Sequence, residues 1–168
     1  MSSQQVQLTK LNLTEPFKLK KGGELSEIEL AYHEYGELND KKDNTILVCH
    51  ALTMDSQCGH TNESDKEDGW WSFMVGPGKP VDTNRFYVIC INVLGGCKGS
   101  TGPTSINPET QKAYGRDFPQ ITINDMVRTQ NMLLEQMSIE HVYAVIGGSL
   151  GGMQALEWSV LYPEKLDK

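Results

Sequence analysis

"VIGGSLGGMQALEW", residues 145–158, decides the fold: an apolar run ends at a glycine, a serine stands between two glycine pairs, and a run of good helix formers follows. Strand, tight turn and helix are the elements this order implies. Upstream, the run begins as "HVYAVIG", residues 141–147, near-continuously apolar and rich in β-branched side chains, as expected of a parallel strand buried on both faces. Downstream, Met153, Leu156, Val160 and Leu161 fall around one side of the helix and are expected to meet the core, and Pro163 ends it.

Further out, "TILVCH" (residues 45–50) and "RFYVICINV" (residues 85–93) are two more buried strands of the same kind. "ITINDMVRTQNMLLEQM", residues 121–137, carries Ile123, Met126, Val127, Leu133, Leu134 and Met137 at helical spacing, with Thr122 or Asn124 as the cap. "EIELAYHEY", residues 27–35, mostly alternates, which predicts a strand with one wet face, and the polar turn "GELNDKKDN" follows. The order strand, loop, strand, loop, helix, strand, turn, helix predicts an α/β domain with a mostly parallel sheet. Two long loops, residues 51–84 and 94–120, leave the carboxyl ends of the first two buried strands, where function concentrates in such sheets.

Composition narrows the chemistry. The 168 residues hold 22 acidic and 15 basic side chains, a net charge of −7, with no basic run to follow a phosphate backbone, which argues against nucleic acid as a partner. The opening residues lack the basic-then-apolar pattern of a signal peptide, and no window approaches the ~18 apolar residues of a membrane span. A soluble cytoplasmic protein is expected. The four cysteines show no CxxC spacing, so neither a zinc site nor a redox pair is signalled, and they read as buried reduced thiols. The acidic stretch "NESDKEDGWW", residues 62–71, lacks calcium-loop spacing and reads as a solvated loop over Trp70 and Trp71. No metal is expected.

Gly147-Gly148-Ser149-Leu150-Gly151 fits G-x-S-x-G in the context a nucleophile elbow requires: a strand before it and a helix directly after. Glycines belong there because strand and helix backbones pass too close for side chains beside a strained residue. A serine that merely capped the helix would need none of them. Nucleotide-binding readings fail on spacing: G-x-G-x-x-G requires glycine at position 149, and in "GGCKGSTG" the lysine precedes the glycine that a Walker loop would place first. An elbow serine needs an oxyanion hole, formed by the N–H of the next residue, Leu150, and one from the loop after an earlier strand, here Leu52. His50, at that strand's end, is read as shaping the oxyanion loop rather than as a base.

"CHALT", "NVLGGCKGSTGPTSINP", "YGRDFPQITINDMV" and "GGSLGGMQALEWSVLYPE" together resemble homoserine O-acetyltransferases, from about residue 25 onward. The resemblance implies the α/β-hydrolase fold, Ser149 as nucleophile, Leu52 and Leu150 as oxyanion donors, and residues 95–103 near a substrate tunnel. It implies ping-pong acetyl transfer from acetyl-CoA to L-homoserine in methionine biosynthesis, with no bound cofactor. Succinyl-transferring and serine-accepting relatives share these motifs. Hydrolase-fold triads continue with Asp or Glu and then His, yet His33, His50, His60 and His141 all precede Ser149. The expectation is therefore an incomplete fold, residues 1–168 being the N-terminal portion of a single α/β-hydrolase domain, inactive alone, with a raw sheet edge beside its last strand and sticky apolar surface. A serine esterase and a non-catalytic binding or dimerising module remain the alternatives, and a homodimer is left open.

Overall fold

A computed structural model describes residues 6–59 and 69–168. Its main sheet has five strands, β1 (Gln7–Lys10), β2 (Glu29–Tyr35), β3 (Thr45–Cys49), β4 (Tyr87–Ile91) and β5 (Ala144–Gly147), in the order β1-β2-β4-β3-β5. The parallel core expected from the apolar runs is β4-β3-β5, with Val48 beside Cys90 and Cys49 beside Gly147. β1 and β2 extend it as an antiparallel flank.

Alternation along the buried strands divides the core. Leu47, Cys49, Ile89 and Ile91 face a layer formed by α1 (Ile123–Gln136) and α2 (Leu150–Leu161), and meet Val127, Leu133, Leu134 and Trp158. Ile46, Val48, Val88 and Cys90 face the opposite way, toward Cys58, Val75 and Val81 of the segment that crosses between β3 and β4. Trp70 and Trp71 stack at 5.2 Å and pack against this second cluster, while residues 60–68, which carry most of the acidic stretch read as a solvated loop over them, lie outside the described residues.

α1 starts where expected. Thr122 is the cap and forms a capping box with Asp125: its hydroxyl donates to Asp125 Oδ2 (2.6 Å), which also accepts its N–H (2.9 Å). The second carboxylate oxygen takes the Lys20 N–H (2.9 Å), which fastens the N-terminal segment to the helix.

Three expectations need correction. In β2, Leu30, Ala31 and Tyr32 are buried in succession, because Gly99 packs on the Ala31 side chain, where a Cβ would lie 2.8 Å from Ala31 Cβ; along the strand's edge the Ala31 N–H donates to Ser100 Oγ (3.0 Å) and the Glu29 N–H to Thr101 Oγ1 (2.8 Å). In α2, Met153, Leu156 and Val160 are exposed, and Gly151, Gln154 and Trp158 form the buried side. The helix is apolar nearly all round, so apolar spacing did not identify its inner face. The outer edge of β5 is also not bare: Val142 N–H donates to Lys165 O (2.8 Å) and Val145 N–H to Lys168 O (3.2 Å) as the last residues run alongside.

Candidate active site

The carboxyl ends of β3, β4 and β5 lie side by side, so the loops leaving them converge on one edge of the sheet. β5 stops at Gly147 and α2 starts at Leu150, leaving two residues for the reversal. The crossing is too tight for side chains at two points. A Cβ on Gly147 would lie 2.6 Å from Cys49 O, and one on Gly151 would lie 2.0 Å from the same atom.

Ser149 sits at the apex with φ 57° and ψ −123°, a conformation unfavourable for any residue with a Cβ. It occupies the cap position of α2, yet its side chain makes no capping hydrogen bond. The residue is exposed. A strained serine whose hydroxyl is not used by the helix it precedes points away from capping.

The two segments named for the oxyanion hole meet here. Gly151 is wedged against Cys49 and His50, which places the first turn of α2 against the chain that continues to Leu52. The N–H groups of Leu52 and Leu150 donate to no group among the described residues. The N-terminal turn of α2 adds its positive end to the same place.

His50 is almost fully buried, with Nδ1 2.8 Å from Ala51 O and Nε2 3.2 Å from the Val93 N–H. The carbonyl can only accept and the amide can only donate, so the proton is on Nδ1 and both ring nitrogens are occupied. Burial lowers its pKa and keeps the ring neutral. His50 therefore ties the end of β3 to the end of β4. His33 pairs through Nδ1 with Ser56 Oγ (2.9 Å), and His141 through Nε2 with Asp167 (2.7 Å). No described histidine bonds to Ser149, and His60 lies outside the described residues.

A buried polar cluster that sequence patterning did not reveal fixes the long loops. Asn92 Oδ1 accepts from Ser56 N–H (2.8 Å), its Nδ2 donates to Ser56 Oγ (3.0 Å), and its backbone carbonyl accepts from Ser100 Oγ (2.6 Å). With Gly95 N–H to Thr101 O (2.8 Å), these bonds fold residues 95–101 into a compact loop at the end of β4. Cys49, Cys58 and Cys90 are buried free thiols, and Cys97 is exposed. Burial pushes the thiols of Cys49 and Cys90 far up, which leaves them protonated and unreactive. Among the described residues no group of His, Cys, Asp or Glu could hold a metal, and no helix is long and apolar enough to cross a membrane.

A strained, exposed serine between strand and helix, at the carboxyl edge of a parallel core, is the signature of one class of enzymes. Residues 44–168 match the alpha/beta hydrolase fold family, and the chain belongs to it. More narrowly, it is 55% identical over 152 residues to a homoserine O-acetyltransferase of Methanosphaera stadtmanae, a match covering 90% of this chain and 31% of that one. It is 54% identical over 152 residues to a homoserine O-succinyltransferase of Hahella chejuensis, covering 90% and 40%. The crystal structure of esterase E22 superimposes with a TM-score of 0.86 at 40% identity, over 98% of this chain and 46% of the other. The chain thus spans about a third of the length of the curated relatives it matches.

Proposed function

We propose that this chain supplies the nucleophile and oxyanion hole of a cytoplasmic acyltransferase that moves an acetyl group from acetyl-CoA to the hydroxyl of L-homoserine, a step of methionine biosynthesis. In this reading residues 1–168 are the N-terminal portion of a single α/β-hydrolase domain. The observation that carries it is Ser149, strained, exposed and free of any capping bond. The similarity to homoserine O-acetyltransferases supports the choice of donor and acceptor.

Ser149 Oγ attacks the thioester carbonyl as a general base takes its proton, and the carbonyl oxygen becomes an oxyanion. The N–H groups of Leu52 and Leu150 stabilise that charge; one such donor is worth ~10² to 10³ in rate. Collapse breaks the C–S bond, the base returns the proton to the leaving thiolate, and an acetyl-serine remains. The homoserine hydroxyl then gives its proton to the same base and attacks the ester. The second oxyanion collapses, the bond from the acyl carbon to Ser149 Oγ breaks, and the base returns its proton to that oxygen, leaving O-acetylhomoserine and free Ser149. His50 is not that base, because both its ring nitrogens are bonded to backbone. The base and its carboxylate partner belong to residues that follow α2, in the order the family uses.

The similarity to esterase E22 favours one second reading, in which water rather than homoserine accepts the acetyl group. Product analysis of the complete gene product with acetyl-CoA separates the two. O-acetylhomoserine formed only when homoserine is added, and lost in Ser149→Ala, is expected. Free acetate alone, at the same rate with and without homoserine, contradicts the transferase.

A further inference from the structure

Beneath the elbow runs a line of buried polar side chains that the reaction above does not use. Trp158 Nε1 donates to Gln130 Oε1 (2.9 Å), and Gln130 Nε2 donates to Gln154 Oε1 (2.7 Å). Gln154 Nε2 then divides between His50 O (3.4 Å) and Leu150 O (3.3 Å). Trp158, Gln130 and Gln154 are all essentially inaccessible to solvent.

The direction of the whole line follows from its first member. An indole N–H only donates, so Gln130 must turn its oxygen toward Trp158 and its NH₂ toward Gln154. Gln154 must then present its oxygen to Gln130 and its NH₂ to the two carbonyls. His50 O belongs to the chain leading to Leu52, and Leu150 O to the residue whose N–H is the other proposed oxyanion donor. One carboxamide therefore spans both halves of the hole.

We propose that Gln154 is a positioning residue for acyl transfer: held in one orientation by Gln130 and Trp158, it sets the spacing between the Leu52 and Leu150 amides. This rests on the reading of Ser149 as nucleophile. Nothing else polar crosses from α2 to the end of β3 among the described hydrogen bonds. Small displacements matter here, since misplacing a catalytic group by ~1 Å can cost about 10²-fold.

The test uses the complete gene product with Leu amides ¹⁵N-labelled and compares Gln154→Met with the double variant Gln130→Met, Gln154→Met. Replacing both members of a buried hydrogen-bonded pair by apolar groups of similar shape is nearly neutral for stability. In the double variant the Gln130–Gln154 bond is removed from both sides, while the Trp158 N–H loses its acceptor, so this variant also breaks the tie at some cost in stability. Expected are shifted Leu52 and Leu150 amide resonances in both variants, a loss of about ten- to a hundredfold in kcat, and a KM for acetyl-CoA within about twofold. Both variants should lower the urea midpoint as well as kcat, and the double variant carries the measurement where Gln154→Met alone is unfolded. An undiminished kcat in either folded variant, or unmoved Leu52 and Leu150 amides, overturns the proposal. Failure of the unsubstituted protein to acetylate Ser149 refutes the proposed function instead, and the amide resonances still decide the positioning.

Discussion

Gly151 and Gly152 are adjacent glycines in the first turn of α2, and an alanine should have opposite effects at the two. At 151 the new Cβ would lie 2.0 Å from Cys49 O, 2.7 Å from Cys49 C and 3.2 Å from His50 O. All three are backbone atoms at the end of a central strand, so no side chain can swing aside, and the helix must retreat by more than ~1 Å to reach van der Waals separation. Overpacking of this kind costs up to ~3 kcal/mol. The higher helix propensity of alanine offsets about 1 kcal/mol, leaving a net loss of ~2. At 152 the nearest atom is Gly147 O at 3.5 Å, an ordinary contact, so the propensity gain of ~1 kcal/mol is retained. The two variants should differ by about 3 kcal/mol, or ~6–12 °C in Tm for a domain of this size. Urea unfolding followed by tryptophan fluorescence, with buried Trp158 as a reporter, measures this directly. Equal midpoints, or a Gly151→Ala more stable than Gly152→Ala, would refute the close crossing of α2 over β3.

Burial lowers the pKa of His50, and of His33, below the ordinary 6.5; the folded state prefers the neutral rings, so their contribution is complete above that pH and is lost as pH falls through it. Stability measured by urea unfolding should decline on acidification below 6.5, and less steeply in His50→Gln; an identical slope argues against a buried neutral ring. Thr122→Ala removes the capping box of α1 and should cost about 1 kcal/mol, read as a Tm lower by ~2–4 °C by circular dichroism; an unchanged Tm contradicts the cap. Replacing exposed Met153, Leu156 and Val160 by Glu, Lys and Glu should change stability by less than ~0.5 kcal/mol each while reducing self-association in sedimentation, whereas strong destabilisation would place that face in the core.

The strands of the parallel core were legible because burial on both faces leaves a long apolar run, as in "TILVC" and "YVICI". The elbow was legible because its glycines answer to backbone geometry, which the close approaches at Gly147 and Gly151 bear out. β1 was not legible. Its sequence QLTK has no apolar pattern and is a strand only through its pairing with β2. The buried face of α2 was misread because a small residue and a hydrogen-bonded glutamine occupy it while leucine and methionine face out. Gln154 lies four residues before Trp158, a spacing that puts both on one helix face, and this was the available signal for the polar line. The Asn92, Ser56 and Ser100 cluster joins three separate loop ends, a contact that local patterning does not encode.

In the proposed reaction Ser149 accepts the acyl group. Intact mass of the complete gene product after mixing with acetyl-CoA, followed by peptide mapping, tests it most directly. A single acetyl adduct on the peptide containing Ser149, absent from Ser149→Ala and discharged by L-homoserine, is the expected result. A folded protein that forms no adduct, or one whose adduct persists in Ser149→Ala, would contradict it and leave the strained turn without a chemical role.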